Sequence, residues 1–233
     1  SEDEYAERLR AQGFQVRHIE CLARPTVLPT GMHLGLARYD RSQVDGIWMS
    51  RADCDLAARR LVAVGVSVTS LDPATCRTLE PRAPAPAMRL RMIEGLARAG
   101  VPVRVMVAPV IPVLTDHEIE RILQAARDAG ATMASMIPVR LPLEVAPLFR
   151  DWLETHHPGK AGHVMTRIQA MRGGRDNDPR FGHRMRGEGP EAELMHQRFR
   201  LARRRLGYDR ESPPLDASRF APPPRAGDQL ALF

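Results

Sequence analysis

The polar residues best suited to bind a ligand lie at the end of a short apolar run, LVAVGVSV. Ser67, Thr69 and Ser70 offer hydroxyl groups there, and Asp72 adds a carboxylate. Such groups can hold a polar ligand by hydrogen bonds, but serine and aspartate after a strand are also common turn residues and helix caps. The sequence leaves both interpretations of this segment open, a ligand site and a structural turn.

Two further apolar runs also end in segments that could contact a ligand. VPVRVMVAPVIP closes with the segment Ala108–Pro112, and ATMASMIPV is followed by Arg140. Short apolar runs bounded by turn signals are typical of buried parallel strands. Because ligand sites of parallel α/β folds lie at the carboxyl ends of the strands, we expect these groups to meet at one edge of a sheet.

Helical patterns separate the three runs. In TDHEIERILQAARDAG, Thr115 and Glu118 have the spacing of a capping box, and Gly130 supplies a left-handed stop. The segment PAMRLRMIEGLARAG repeats this plan, with Pro86 near its start and Gly100 at its end. The predicted order is βαβαβ: adjacent parallel strands Val62–Val68, Val103–Ala108 and Thr132–Ile137, with helices near Pro86–Ala99 and Asp116–Ala129 on one side.

The chain divides into three regions by pattern. Residues 1–61 show no sustained period, residues 62–142 carry the βαβαβ pattern, and residues 143–233 form a helical extension with a proline-rich tail. Two apolar faces predict the helices of the extension, one made by Val145, Leu148, Phe149, Trp152 and Leu153, the other by Met195, Phe199, Ala202 and Leu206.

Three long stretches together resemble the radical SAM superfamily, most nearly its spore photoproduct lyase-like branch. They are VSVTSLDPATCRTLEPRAPAP, VPVRVMVAPVIPVLTDHEIERILQAARDAGA and FGHRMRGEG, and the resemblance runs from about Val62 to Phe233. It implies an α/β fold, a partial (β/α) barrel of parallel strands with a helical C-terminal extension. It also implies a [4Fe-4S] cluster that binds S-adenosylmethionine and cleaves it reductively to a 5′-deoxyadenosyl radical.

The resemblance also suggests which residues contact the cofactor. Ser67 and Thr69 match the strand end near the ribose or methionine, Pro109 and Ile111 match the segment near the adenine, and Arg140 matches the last barrel strand. Four other residues match family signatures of unassigned role: Glu80, Arg82, Arg184 and Gly187.

The cluster motif C-x-x-x-C-x-x-C is incomplete in this chain. ECLARP places Cys21 at the third cysteine, which makes it the one metal ligand that the resemblance carries over. Phe14 and His18 stand at the other two positions, and a phenylalanine has no donor atom. Cys54 and Cys76 have the wrong spacing and fit small buried or surface thiols. We therefore expect a truncated or degenerate member that does not assemble a stable cluster.

The charge balance leaves two interpretations open. The formal net charge is +6, and Lys160 is the only lysine. This arginine excess reflects either the codons of a GC-rich genome or an affinity for phosphate. The alternative function is thus a non-catalytic arginine-rich module that binds nucleic acid or a protein partner. If the chain is active, the resemblance implies a nucleic-acid or protein substrate and a reductant such as a flavodoxin or ferredoxin.

The same composition bears on localisation. No apolar run approaches the ~20 residues of a membrane span, and the acidic start SEDE is no secretory signal. Three widely spaced cysteines argue against a disulfide scaffold. We expect a cytoplasmic protein without a membrane partner.

Two weaker patterns lie nearer the C-terminus. His156, His157 and His163 could hold a metal ion, but the default interpretation is a solvated helix end. Asp176 and Asp178 could bind a cation, and a polar turn is the default there.

Overall fold

The structure, a computed structural model, describes residues 63–208 of the chain. This part contains parallel strands, helices and one 3-10 turn. In chain order they are β1 (Val64–Ser67), α1 (Pro73–Leu79), α2 (Pro86–Arg98), β2 (Val103–Val110), the 3-10 turn (Asp116–Glu118), α3 (Ile119–Asp128), β3 (Met133–Pro138), α4 (Val145–His156), α5 (Pro158–Ala170) and α6 (Gly189–Arg205).

The three strands form one parallel sheet in the order β1-β2-β3. Ser67 pairs with Met106 across the first ladder, and Arg104 pairs with Met133 across the second. The second ladder is irregular between Val107 and Val110, where the Ala108–Pro109 peptide is cis. The prediction of three adjacent parallel strands is confirmed, and the described residues show a mixed α/β fold.

One face of this sheet is buried and the other is only partly covered. Successive strand residues point to opposite faces. In β2, Val103, Val105 and Val107 are buried, whereas Arg104 is exposed and Met106 is half-buried. The valine face packs against residues of three helices: Ile93 and Leu96 of α2, Ile119, Ile122 and Leu123 of α3, and Met195, Phe199 and Ala202 of α6. The predicted helices on one side of the sheet are confirmed.

A second core joins α4 and α5 to the ends of β2 and β3. Phe149 and Leu153 of α4 are buried in it together with Ile111 and Leu141. Val145 and Leu148, predicted to share the apolar face of α4, are 39% and 65% exposed. The prediction was wrong at these two positions, because α4 turns Phe149 and Leu153 to the core with Trp152 partly buried beside them.

Glycines end two of the helices as predicted. Gly100 and Gly130 follow α2 and α3 with φ of 76° and 99°. A Cβ built on Gly130 would lie 2.6 Å from the Cβ of Ala97. Both the positive φ and this close approach between the two helix ends therefore require glycine.

Several predictions concern residues outside 63–208. The N-terminal segment 1–61, Cys21 and its motif neighbours Phe14 and His18 lie there, as does the proline-rich tail. Within the described range, the helices are all too short or too polar to cross a membrane.

Candidate functional site

A buried arginine organises the carboxyl end of β1. Arg89 of α2 donates from Nη2 to Glu80 Oε2 at 2.7 Å and from Nε to the Pro84 carbonyl at 3.0 Å. Its Nη1 donates to the Ser67 carbonyl at 3.0 Å and to Ser67 Oγ at 3.2 Å. The guanidinium therefore fixes both the strand end and the loop that follows α1.

The hydroxyls of Ser67 and Thr69, predicted to contact a cofactor, differ in whether their proton is already bonded within the protein. Thr69 Oγ1 is buried and lies 3.1 Å from both Glu80 Oε2 and the Ala108 carbonyl, so its single proton serves the protein itself. Ser67 is half-buried, and its Oγ accepts from Arg89. Among the described residues no acceptor takes the Ser67 hydroxyl proton, so Ser67 can donate it to a ligand.

A buried carboxylate ties the same edge to α3. Glu118 accepts from Ser70 Oγ at 2.6 Å and from the Leu71 N–H at 2.8 Å. Thr115 Oγ1 accepts from the Ile111 N–H at 2.9 Å. The predicted capping box of Thr115 and Glu118 is therefore wrong. The helix begins with a 3-10 turn that has no side-chain cap. The Thr115 and Glu118 side chains bond instead to groups that follow β2 and β1.

Asp72 caps a helix that the sequence analysis missed. Its carboxylate accepts from the N–H groups of Ala74 and Thr75 at 3.1 and 2.9 Å, and from Thr75 Oγ1 at 2.6 Å. These bonds, the Thr75 hydroxyl first, lower the pKa of Asp72. For Asp72 the structural interpretation is the one observed. An aspartate directly before Pro73 at the first helical position was the signal for α1.

The β2 end contributes backbone rather than side chains. Pro109 forms the cis peptide with Ala108, and Ile111 has its side chain in the second core. The backbone N–H of Ile111 is already bonded to Thr115. A ligand at this edge would meet the peptide groups near Pro109, not the Ile111 side chain.

Two arginines lie at the β3 end. Arg172 is 1% exposed and donates to the carbonyls of Val139 at 2.8 Å and Arg184 at 3.0 Å. Burial lowers the pKa of Arg172, and the charge of Arg140 lowers it further. Arg140 is half-buried, with Nη1 3.6 Å from Met185 Sδ.

The loop between α5 and α6 contains a group that could hold a cation. Asp178, His183 and Glu188 each offer a ligand atom within 4.8 Å of the others. Arg180 already bridges the two carboxylates, at 2.7 Å from Asp178 Oδ2 and 3.2 Å from Glu188 Oε1. Its hydrogen bonds and charge hold the pKa of Asp178 well below its usual range. A metal ion would have to displace this arginine.

The other residues that match family signatures have separate environments. Glu80 belongs to the Arg89 network, whereas Arg82 is exposed. The guanidinium of Arg184 lies 5.6 Å from the ring centroid of Phe181. Gly187 has a φ of 72°, which the tight turn before α6 requires.

The described residues do not supply the thiolates of an iron-sulfur cluster. Cys76 is the one cysteine between 63 and 208. Its Sγ lies 3.6 Å from the Ser70 carbonyl, and burial raises the pKa of the thiol. A protonated thiol held inward is a poor metal ligand.

Sequence reasoning missed Arg89 and gave Glu118 the role of a helix cap, whereas both residues hold this edge of the sheet. Arg89 did carry a signal. It lies four residues before Ile93 and seven before Leu96 in the buried stripe of α2. A charge at an apolar stripe position indicates a buried partner.

Part of the chain is similar to mycobacterial proteins that are themselves described as uncharacterized. A stretch of 99 residues, 42% of this chain, is 36% identical to the uncharacterized protein Rv2578c of Mycobacterium tuberculosis (strain H37Rv). The uncharacterized protein Mb2609c of Mycobacterium bovis matches equally. The matched stretch covers 29% of the length of each relative. No family model matches the chain, and no solved structure gives a significant match. A stretch that makes up 42% of the chain is thus similar to part of these longer mycobacterial proteins.

Proposed function

We propose that residues 63–142 are part of a radical SAM-type (β/α) barrel whose strand ends bind S-adenosylmethionine. Two features support the proposal. Three stretches of the sequence resemble that superfamily, and the parallel sheet has helices on one face and a partly covered second face. The second face would line the interior of such a barrel.

The observation that carries this proposal is that Ser67 Oγ accepts from Arg89 and donates to no described group. Arg89 holds the Ser67 oxygen and carbonyl, so the hydroxyl is oriented before a ligand arrives. A preoriented donor at the carboxyl end of a parallel strand suits the hydroxyl or carboxylate oxygens of a nucleoside or amino-acid ligand. Thr69 and Glu80 keep that end of β1 in place against β2.

The [4Fe-4S] cluster does not fit the described residues, because the one cysteine among them is buried and its pKa is raised. When bound, such a cluster supplies the electron that cleaves S-adenosylmethionine. We derive no catalytic step for this chain, and we expect no 5′-deoxyadenosine from it under strict anaerobiosis and strong reductant.

Titration calorimetry with S-adenosylmethionine tests the binding proposal. Ser67→Ala removes the free donor and should weaken binding about tenfold, the value of one net hydrogen bond. Thr166→Ala, an exposed position on α5, is the matched control and should bind like the wild type. Equal affinities of the two variants, or no binding by the wild-type chain, would contradict the proposal.

A second candidate function, binding of single-stranded nucleic acid, is favoured by one exposed ring. Phe181 is 89% exposed, and the guanidinium of Arg184 lies 5.6 Å from its centroid. An exposed aromatic ring beside arginine suits base stacking with a phosphate contact. Fluorescence anisotropy with a labelled oligonucleotide tests it: Phe181→Ala should weaken binding about 5- to 150-fold, the range for one stacked base. An unchanged affinity would rule the stacking role out.

A further inference from the structure

Two arginines lie at the carboxyl end of β3, and the charge of Arg140 acts on Arg172. Arg172, on the segment after α5, donates to four backbone carbonyls: Pro138 at 3.4 Å, Val139 at 2.8 Å, His183 at 3.2 Å and Arg184 at 3.0 Å. Arg140 directly follows the first pair, and Met185, which Arg140 contacts at 3.6 Å, directly follows the second. Arg172 therefore clamps the two backbone segments that meet at Arg140.

Burial lowers the pKa of Arg172 and the charge of Asp178 opposes this, but no described carboxylate is bonded to either guanidinium. The carboxylates of the loop between α5 and α6 are bonded to other arginines: Asp178 and Glu188 to Arg180, and Asp176 to Arg150. Within residues 63–208, no carboxylate forms a hydrogen bond or ion pair with Arg140 or Arg172. Two positive charges thus lie at this sheet edge without a carboxylate bonded to either of them.

Both side chains also keep an unused donor. The Nε atoms of Arg140 and Arg172 are buried and make no hydrogen bond to a described group. A buried donor on a charged group is unfavourable when it is left unsatisfied, and like charges held close together repel. An anion bound at Arg140 would offset the neighbouring positive charges and accept hydrogen bonds from the half-buried Arg140 guanidinium.

We propose that Arg140 and Arg172 form an anion site that takes a phosphate group. Arg140, half-buried at the edge, makes the contact, because a guanidinium offers two parallel donors to phosphate oxygens. Arg172, 1% exposed and bonded to carbonyls, contributes its charge and positions Arg140. A phosphate monoester near charge −2 balances two arginines better than a carboxylate of charge −1. The resemblance counts Arg140 among the cofactor contacts, but the phosphate site is inferred from the two arginines alone.

The experiment titrates the whole chain with inorganic phosphate at pH 7.5 and constant ionic strength, by calorimetry. Arg140→Gln should weaken phosphate binding about 10- to 100-fold, the value of hydrogen bonds to a charged group. Arg121→Gln, an exposed arginine on α3, changes the net charge equally and should leave the affinity unchanged. Lowering the pH to 5 protonates phosphate and should also weaken binding.

Three results would overturn the proposal: no phosphate binding by the wild-type chain, equal weakening in both variants, or acetate binding as tight as phosphate. Two further arms identify the source of the phosphate. If a phosphate monoester binds more tightly than inorganic phosphate and Arg140→Gln abolishes the gain, the site takes a small-molecule phosphate. If an oligonucleotide without a terminal phosphate binds more tightly than inorganic phosphate and Arg140→Gln abolishes the gain, the site takes a backbone phosphodiester. The result is independent of the Ser67→Ala titration with S-adenosylmethionine.

Discussion

Replacing Glu118 by alanine tests whether the edge of the sheet is fastened as the structure shows. The Glu118 carboxylate is buried and accepts hydrogen bonds from Ser70 Oγ at 2.6 Å and from the Leu71 N–H at 2.8 Å. Glu118→Ala removes both bonds and leaves the buried Ser70 hydroxyl and the partly buried Leu71 N–H without acceptors. Glu120, two residues on, is the matched control, since it pairs with Arg198 at 2.7 Å on a partly exposed surface.

The expected loss of stability follows from the number and burial of these bonds. Each hydrogen bond to a charged group contributes about 1.5–3 kcal/mol, so two contribute about 3–6 kcal/mol. Removing the carboxylate also relieves the cost of burying it, so we expect a net loss of about 3 kcal/mol. Glu120→Ala should cost about 0.5–1 kcal/mol, because water already screens its ion pair.

Thermal and urea unfolding of the full chain measure the difference. In a protein of this size about 3 kcal/mol lowers Tm by roughly 6–12 °C. A double-mutant cycle of Ser70→Ala and Glu118→Ala should give a coupling energy of about 1–2 kcal/mol. The reasoning fails if Glu118→Ala destabilises no more than Glu120→Ala, or if the two substitutions of the cycle are additive.

Three further predictions concern single positions, each read by urea unfolding. Asp72→Ala should lower the free energy of unfolding by about 1 kcal/mol, because a helix cap is lost. The pKa of Asp72 is lowered in the folded state, so this contribution is complete above the unfolded pKa of about 3.9 and disappears as the pH falls through the folded pKa. A stability difference that grows in acid would contradict this account. Gly130→Ala should lower the free energy of unfolding by about 1–3 kcal/mol through backbone strain at φ 99°. Gly159→Ala, with open space around its Cβ, should leave stability unchanged or raise it. Equal effects of the two substitutions would show that strain at Gly130 is not the cause. Leu153→Ala should cost about 2–5 kcal/mol and Leu148→Ala under about 0.5 kcal/mol, and the reverse order would show that α4 faces the other way.

The strands and the two predicted helices could be derived from the sequence because their signals are local. The valine alternation of Val103, Val105 and Val107 and the glycine stops at 100 and 130 are contained in short windows. The short helix α1 was missed because its seven residues hold one buried apolar side chain, Cys76, and show no period.

The polar contacts of the candidate site could not be derived in the same way, because they depend on distant parts of the chain. Glu118 lies 48 residues from Ser70 in sequence, and the spacing to Thr115 predicted a local capping box instead. Thr69 was correctly placed at the strand end, yet only the fold shows that Glu80 and Ala108 take its proton. Which donors remain free for a ligand is therefore a property of the tertiary structure.

The measurement that tests the central claim most directly is the response of backbone amide resonances to S-adenosylmethionine in this 26.0 kDa chain. A ligand at the carboxyl edge of the sheet should shift the amide signals of Ser67–Ser70 and of the segment around Pro109, while those of exposed residues on α5 stay in place. Shifts confined to α4 and α5, or no shifts at saturating ligand, would contradict the assignment of this edge as the binding site.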